Sequence, residues 1–446
     1  MAEFTPGTKI GLTDSGHAEI VKTLGQGGQG IVYEVMVSGK PYALKWYTCK
    51  LKDAKTFRAT IQDNIKNGPP CDKFLWPLYL TEEKAGSFGY IMDLFSSDYT
   101  DFPAILNAKD KNGNRVSFKS TEIMILAALN LVNAFRELHR QGLSYQDLND
   151  GNFRINLKTG DVLICDNDNV TPDGDMNSGG VGGKPGYMAP EIVTGKAHPS
   201  ERTDCHSLAV VLFKLFFRHS PLQGAEYERL PCMTEKKELE LFGTKPVFIY
   251  DPDDESNRPV AGVHNNAIKL WPLFPPFFQE AFIRAFAQGM KNPQIRETDN
   301  EWQKVLVRLR DTLFVNCPSC GREIPLTKID KTAGIKCGGC NSAYSYPRLL
   351  TYASLLNVKD YYVPLFPGKK LYACHTNSND DYSAITGEVV MNKNNPTLWG
   401  IKNLSGDTWK MTAPDGVAKD IPPNGAIPIG AGVTVQFTGT GGSIAE

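Results

Sequence analysis

The stretch Leu138-His139-Arg140-Gln141-Gly142-Leu143-Ser144-Tyr145-Gln146-Asp147-Leu148-Asn149-Asp150-Gly151-Asn152 decides the fold. It leaves a helical pattern, Thr121–His139, in which Ile125, Leu129, Val132 and Phe135 recur at helical spacing. Within the polar loop that follows, Asp147 and Asn152 stand five residues apart. A further 14 residues on, the strand-like Val162-Leu163-Ile164-Cys165 delivers Asp166. Then come Pro185-Gly186-Tyr187-Met188-Ala189-Pro190-Glu191, Thr203-Asp204-Cys205-His206-Ser207-Leu208-Ala209 and Asn292-Pro293-Gln294-Ile295-Arg296.

Upstream lies Leu24-Gly25-Gln26-Gly27-Gly28-Gln29-Gly30, a glycine string that alone says little. It runs into Ile31-Val32-Tyr33-Glu34-Val35, a β-branched strand, then the turn Ser38-Gly39-Lys40-Pro41 and a second strand, Tyr42-Ala43-Leu44-Lys45-Trp46-Tyr47. The order strand, glycine loop, strand, turn, strand suits a triphosphate. Glycines let backbone N–H groups approach phosphates, and Lys45 adds a point charge near the α and β groups. The plainer alternative for Lys45 is an edge-strand lysine. No Gly-Lys-[Ser/Thr] string of a P-loop occurs in the chain.

Together these six segments, in this order, resemble the eukaryotic-type Ser/Thr protein kinases of bacteria. The resemblance implies an α+β, bilobal protein-kinase-like domain over residues 1–315, with an N-lobe of about 1–93 and a C-lobe of about 96–315. It implies that Asp147 orients the acceptor hydroxyl and takes its proton, and that Asn152 and Asp166 hold Mg²⁺ (or Mn²⁺) against ATP, since hard cations take oxygen ligands. Nucleotide contacts are implied at Gly25, Gln26, Gly27, Gly28, Gly30, Val32, Ala43 and Lys45, with Met92 as gatekeeper and Asp93, Leu94 and Phe95 as hinge. Asp204 would support the catalytic loop and Arg296 would pair with Glu191. The alternative is a pseudokinase scaffold that binds nucleotide and recruits partners; a small-molecule kinase fits the Pro190-Glu191 segment and Arg296 poorly.

Four departures from the family pattern stand out. Tyr145-Gln146-Asp147 replaces His-Arg-Asp, which removes the arginine that would meet a phosphorylated loop and predicts weak control through Thr171 or Ser178. Asp166-Asn167-Asp168 replaces Asp-Phe-Gly; Asp168 either adds a carboxylate near the metal or stabilises a turn. No glutamate occurs between Lys45 and Leu80, so the regulatory-helix partner of Lys45 falls to Gln62 or Asp63 by spacing. Asn149 stands where such kinases carry a lysine, while Lys184 stands where they carry a threonine. Both positions face the acceptor site in that fold, so Lys184 is expected to supply the missing catalytic cation; its alternative is a solvated loop lysine.

Cys317-Pro318-Ser319-Cys320 and Cys337-Gly338-Gly339-Cys340 are separated by 16 residues, the spacing of a zinc ribbon. Two such knuckles complete a four-sulfur tetrahedron for structural Zn²⁺, leaving no open position for chemistry. The ribbon spans 316–347 and reads as a spacer or protein-docking unit. Its basic residues Arg322, Lys328, Lys331 and Lys336 against Glu323 and Asp330 make no phosphate footprint. The other six cysteines (49, 71, 165, 205, 232 and 374) read as core or surface thiols. A linker over 348–363 is expected to lead into an all-β sandwich, 364–446, with short strands at Gly387–Met391, Leu398–Lys402, Thr408–Thr412 and Val433–Phe437. That part faintly resembles a forkhead-associated domain. No arginine follows Arg348, which argues against phosphopeptide capture, and Trp399 and Trp409 read as core.

Composition is consistent with this layout. With 48 basic and 49 acidic residues among 446, nothing favours nucleic acid or an anionic membrane. The longest apolar stretch, Ser207–Phe217, contains Lys214 and is too short for a bilayer span of about 20 residues. No signal peptide is read at the N-terminus, and paired CxxC knuckles suit a reducing compartment, so a cytoplasmic location is expected. The combination of kinase, ribbon and β domain resembles bacterial kinases that act beside a von Willebrand factor A protein and a metal-dependent phosphatase in tellurite-resistance or stress systems. The partners implied are therefore such proteins.

Overall fold

A computed structural model of the chain describes residues 3–14, 16–49, 53–175, 183–326 and 334–445. It divides into two compact units, Met1–Trp271 with Gln279–Gln303, and Pro272–Phe278 with Lys304–Glu446.

The first unit opens with an antiparallel sheet of strands β1 (Lys9–Gly11), β2 (His17–Gln26), β3 (Gly30–Val37), β4 (Lys40–Tyr47), β5 (Tyr79–Leu80) and β6 (Gly89–Met92), in the order β1-β2-β3-β4-β6-β5. In β3 the period-2 pattern is visible: Ile31, Tyr33, Val35 and Val37 are buried and the residues between them are half-buried. Ser38 and Gly39, both at positive φ (49° and 78°), make the tight turn into β4. Helix α1 (Ala54–Asn67) crosses between β4 and β5; the Asp53 side chain caps its start and Gly68, at φ 78°, ends it.

Below the sheet come helices α2 (Phe102–Asn107), α3 (Thr121–Arg140), α4 (Pro190–Val193) and α5 (Glu201–Phe217). Ser120 caps α3 by accepting the Ile123 N–H, and Ile125, Leu129, Val132 and Phe135 are buried on one face, as the spacing predicts. Helix α5 is buried almost all round, which makes it the central post of this lobe. Short strands between α3 and α4 carry the polar loops: β8 (Leu143–Ser144) pairs with β11 (Thr171–Pro172), and β9 (Phe153–Asn156) lies between β10 (Val162–Ile164) and the earlier strand β7 (Tyr99–Asp101), which precedes α2.

The second unit begins earlier than the expected boundary at 315, inside the helix Asp299–Thr312. The physical reason is charge burial. Asp311, almost fully enclosed, accepts from Tyr361 at 2.5 Å and lies 2.8 Å from His375 Nε2, and Arg310 donates to the Tyr382 carbonyl at 2.8 Å. Against burial, which raises it, His375 and Arg310 hold the Asp311 carboxyl well below the usual carboxylate range. These polar partners gave the sequence no apolar boundary to read.

Residues 348–363, expected to be a linker, instead form most of the antiparallel hairpin Arg348–Leu355 and Val358–Leu365. Its first strand also pairs with the C-terminal strand Gly441–Ala445, so the β domain starts at 348 rather than 364. Besides the two short two-stranded ribbon pairs, the described residues of this unit form two antiparallel sheets, one of six strands and one of four. All four strands expected after 364 are present, at Ile385–Met391, Trp399–Asn403, Trp409–Thr412 and Thr434–Gln436. Leu350, Val363, Val389, Ile401, Trp409 and Val435 fill the core, while Trp399 is only half-buried.

Candidate active site

The glycine loop is the β2–β3 turn. Gly27 N–H donates to the Gly30 carbonyl at 2.9 Å, and a Cβ on Gly30 would lie 2.1 Å from the Trp46 carbonyl oxygen, so only glycine fits there. Around Gly25, Gly27 and Gly28 the space is open. Lys45, in β4, faces Val32 on one side and Tyr90 on the other. Its side chain is buried, with the ammonium 2.9 Å from Asp168 Oδ2, 3.1 Å from Asp166 Oδ1 and 3.2 Å from Gln29 Oε1. Burial would lower its pKa, yet the two carboxylates hold it well above the usual lysine value. The edge-strand alternative for Lys45 is thereby set aside. Ala43 pairs with Met92 across β4 and β6, and Asp93, Leu94 and Phe95 follow as irregular chain with Phe95 exposed.

The catalytic-loop segment hangs from helix α5. Asp204 accepts the Tyr145 N–H at 2.7 Å and the Gln146 N–H at 3.3 Å, the latter residue held at φ 69°. The Tyr145 hydroxyl donates to the Cys165 carbonyl, next to Asp166. Gln146, where the family has arginine, donates to Thr171 Oγ1, and Thr171 is buried. Ser178 lies outside the described residues, as do Lys328, Asp330 and Lys331.

Asn152 Nδ2 donates to the Asp147 carbonyl at 2.7 Å, leaving its amide oxygen without a hydrogen-bond partner among the described residues. Asn149 Nδ2 donates to Asp147 Oδ1 at 3.0 Å. Burial raises the Asp147 carboxyl above its ordinary value and the charges of Asp166 and Asp168 add to this, while the bonds from Asn149 and the Lys184 backbone pull it down. Such a carboxyl is a better proton acceptor than a solvated one.

Asp166 sits at φ 55°, in the left-handed region that non-glycine residues avoid, and its side chain stays 41% exposed. Asn167 is fully buried; its amide donates to the Leu75 carbonyl at 2.8 Å and the Ile164 carbonyl at 2.9 Å. Gln62 and Asp63, the expected partners of Lys45, are both exposed on α1, whose buried residues are Ile61 and Asn64. The lysine is held by Asp168 instead.

Lys184 does not reach Asp147 with its ammonium. That group lies 2.7 Å from Asp150 Oδ1 and is half-exposed. Lys214 completes the group, 3.9 Å from Asp150; burial brings its pKa down to about 8. Glu191 and Arg296 form a bidentate pair at 2.6 and 2.8 Å, with Arg296 almost fully buried.

Sequence reasoning missed Gln29, Tyr47 and Asn167. The signal for Tyr47 was present, because strand residues two apart share a face and Tyr47 lies two past Lys45. Its hydroxyl donates to Asp168 Oδ2.

In the second unit the four ribbon sulfurs lie within 4.8 Å of one another, with Cys317 to Cys340 at 3.6 Å and Cys320 to Cys337 at 3.5 Å. A tetrahedron of Zn–S bonds of about 2.3 Å needs sulfurs roughly 3.8 Å apart, so the donor set fits Zn²⁺. The Tyr344 hydroxyl bond is the main reason that the Cys317 thiol is pulled down to about 6. The ribbon is no free module: Tyr344 packs on Phe366 at 5.3 Å, and Phe366 on Trp399 at 5.2 Å. No described helix is long and apolar enough to cross a membrane.

Residues 18–246 match the family model of the protein kinase domain. Mouse serine/threonine-protein kinase 40 is 26% identical over 120 residues, 26% of this chain and 26% of its own length. Human ribosomal protein S6 kinase alpha-6 is 23% identical over 235 residues, 51% of this chain and 30% of its own. The chain thus spans about a quarter to a third of the curated relatives it matches. A crystal structure of the PknI kinase domain of Mycobacterium tuberculosis aligns with 19% identity and a TM-score of 0.42, covering 68% of this chain and 98% of that one. With its glycine loop, catalytic-loop segment and Glu191–Arg296 pair inside or beside the matched span, the chain belongs to the protein kinase family.

Proposed function

We propose that the chain is a protein kinase that moves the γ-phosphoryl group of ATP to a Ser or Thr hydroxyl of a partner protein. The observation that carries this reading is the run of contacts from Lys45 to Asp166, from the neighbouring Cys165 N–H to the Asn152 carbonyl, and from the Asn152 amide to the Asp147 carbonyl. Lys45 receives the nucleotide phosphates, and the glycine loop closes over them with backbone N–H groups. Asp166 and the uncommitted amide oxygen of Asn152 offer the hard oxygen donors that suit Mg²⁺ or Mn²⁺. When bound, that ion offsets the charge of the β- and γ-phosphates. Asp147 orients the acceptor hydroxyl and accepts its proton, a task favoured by its raised pKa. Val32, Ala43 and Met92 contact the base, and the Asp93–Phe95 backbone pairs with it.

The ribbon carries structural Zn²⁺, and the β domain is a protein-interaction module. Its likeness to forkhead-associated domains, and partnership with a von Willebrand A-type protein and a metal-dependent phosphatase, rest on sequence resemblance, as does a cytoplasmic setting. Incubation with γ-labelled ATP, Mg²⁺ and candidate partner proteins tests the reading. Label is expected on a partner Ser or Thr with the wild type and not with Asp147→Asn. Equal nucleotide binding with no transfer by either protein makes the chain a scaffold instead.

A further inference from the structure

A buried lysine ammonium has to be fixed by a carboxylate if it is to meet phosphates in one place. The helix that would offer this carboxylate turns Ile61 and Asn64 inward, and Asn64 is spent on the Val170 carbonyl at 3.2 Å. Tyr47 fills the space between Lys45 and that helix. Its ring lies edge-on to Phe57 at 5.4 Å and against Phe88 at 5.3 Å, and its hydroxyl points to Asp168.

Asp168 has no exposed side-chain surface, and its Oδ2 takes both the Lys45 ammonium and the Tyr47 hydroxyl. Its Oδ1 is buried with no hydrogen-bond partner among the described residues, so Lys45 is the charge that makes burial of this carboxylate tolerable. The carboxylate rides on the short turn Asn167–Asn169 directly after Asp166, and that turn is tied by the Asn167 amide to Leu75 and Ile164.

We propose that Asp168, backed by Tyr47, is the positioning carboxylate for Lys45, so that the lysine is set by the metal-binding segment itself and not by helix α1. The proposal rests on the kinase reading above. It implies that α1 offers Lys45 no carboxylate, so the position of that helix reaches the lysine only indirectly, through Phe57 on Tyr47 and Asn64 on the Val170 carbonyl.

The test uses the full chain as wild type, Asp168→Asn, Tyr47→Phe, Gln62→Ala and Asp63→Ala. ATP·Mg²⁺ affinity is read by calorimetry, and kcat, KM for ATP and half-saturating Mg²⁺ by phosphoryl transfer. Asp168→Asn is expected to raise Kd and KM for ATP about tenfold or more and to lower kcat. Tyr47→Phe, which keeps the ring and removes one hydroxyl, raises KM a few-fold with half-saturating Mg²⁺ unchanged. The two helix variants stay within twofold of wild type. Helix variants that lose tenfold while Asp168→Asn does not overturn the proposal. So does an Asp168→Asn defect confined to the Mg²⁺ requirement, which would make the carboxylate a metal ligand. Should Asp168→Asn not fold, an unchanged KM in Tyr47→Phe overturns it equally. If the wild type transfers no phosphate, the kinase reading fails, and the calorimetric comparison still decides the role of Asp168.

Discussion

His139 Nε2 lies 3.2 Å from Asp204 Oδ2, and that same oxygen accepts the Tyr145 backbone N–H at 2.7 Å. Asp299 holds the other ring nitrogen at 2.6 Å. The catalytic-loop segment is therefore suspended from a buried carboxylate that a histidine helps to neutralise. Burial works against the charged ring, but the bonds to Asp204 and then Asp299 raise its pKa to about 10. A folded-state pKa above the unfolded one stabilises fully below about pH 6.5, and this contribution is lost as pH rises toward the folded value. Stability in urea unfolding is expected to fall by on the order of 5 kcal/mol between about pH 6.5 and 10. In His139→Gln that slope should be flatter; parallel slopes in the two proteins would show that the ring is not the titrating group.

Arg296 is enclosed and grips Glu191 through two bonds, with a third to the Arg202 carbonyl. Removing one member of such a pair strands a buried charge. Arg296→Met is expected to destabilise the first unit by about 3–5 kcal/mol. Arg296→Lys should recover little, because an ammonium cannot reproduce the fork. Denaturant midpoints of the three proteins check this, and a lysine variant equal to wild type would contradict it.

The ribbon sulfurs predict about one zinc per chain, measured by elemental mass spectrometry. Cys337→Ser should abolish it. Because Tyr344, Phe366 and Trp399 share one cluster with the buried cysteines, metal loss should also loosen this face of the β domain. Chelation is expected to raise the fluorescence of an apolar-surface dye and to lower the melting temperature of the second unit. A chelated protein that melts like the untreated one would make the knuckles metal-independent.

Lys184 rests on Asp150 in a half-exposed ion pair of the kind that adds little to stability. Its value lies in what it offers an incoming phosphoryl group. Lys184→Ala is expected to lower kcat by at least about tenfold with KM for ATP unchanged. Steady-state kinetics at saturating partner protein decide the matter; an unaltered kcat leaves the lysine as a loop tether only.

The features legible in the sequence were those with local signatures. The β3 alternation, the α3 face, the glycine loop and the paired cysteines each declare themselves over a few residues. The Glu191–Arg296 contact joins positions 105 apart, and was legible only through family resemblance. What escaped notice was long-range replacement. Spacing pointed to Gln62 or Asp63 because the missing glutamate was sought on its own helix, whereas the carboxylate at the lysine lies 123 residues past Lys45. The hairpin at 348–365 was missed because its strand mates are partly at the far end of the chain, where pairing leaves no trace in local pattern.

Asn167 spans two backbone carbonyls from a position where related enzymes carry a phenylalanine. An aromatic side chain in an oily slot can trade one greasy site for another at small cost. A buried amide cannot, since withdrawal would strip the Leu75 carbonyl of its donor, while the Ile164 carbonyl would keep only the Leu75 N–H. Inhibitors whose potency depends on prying this segment outward and filling the vacated chamber should find no conformer to capture, and selective compounds will have to be sought among those that occupy the nucleotide cleft as it stands.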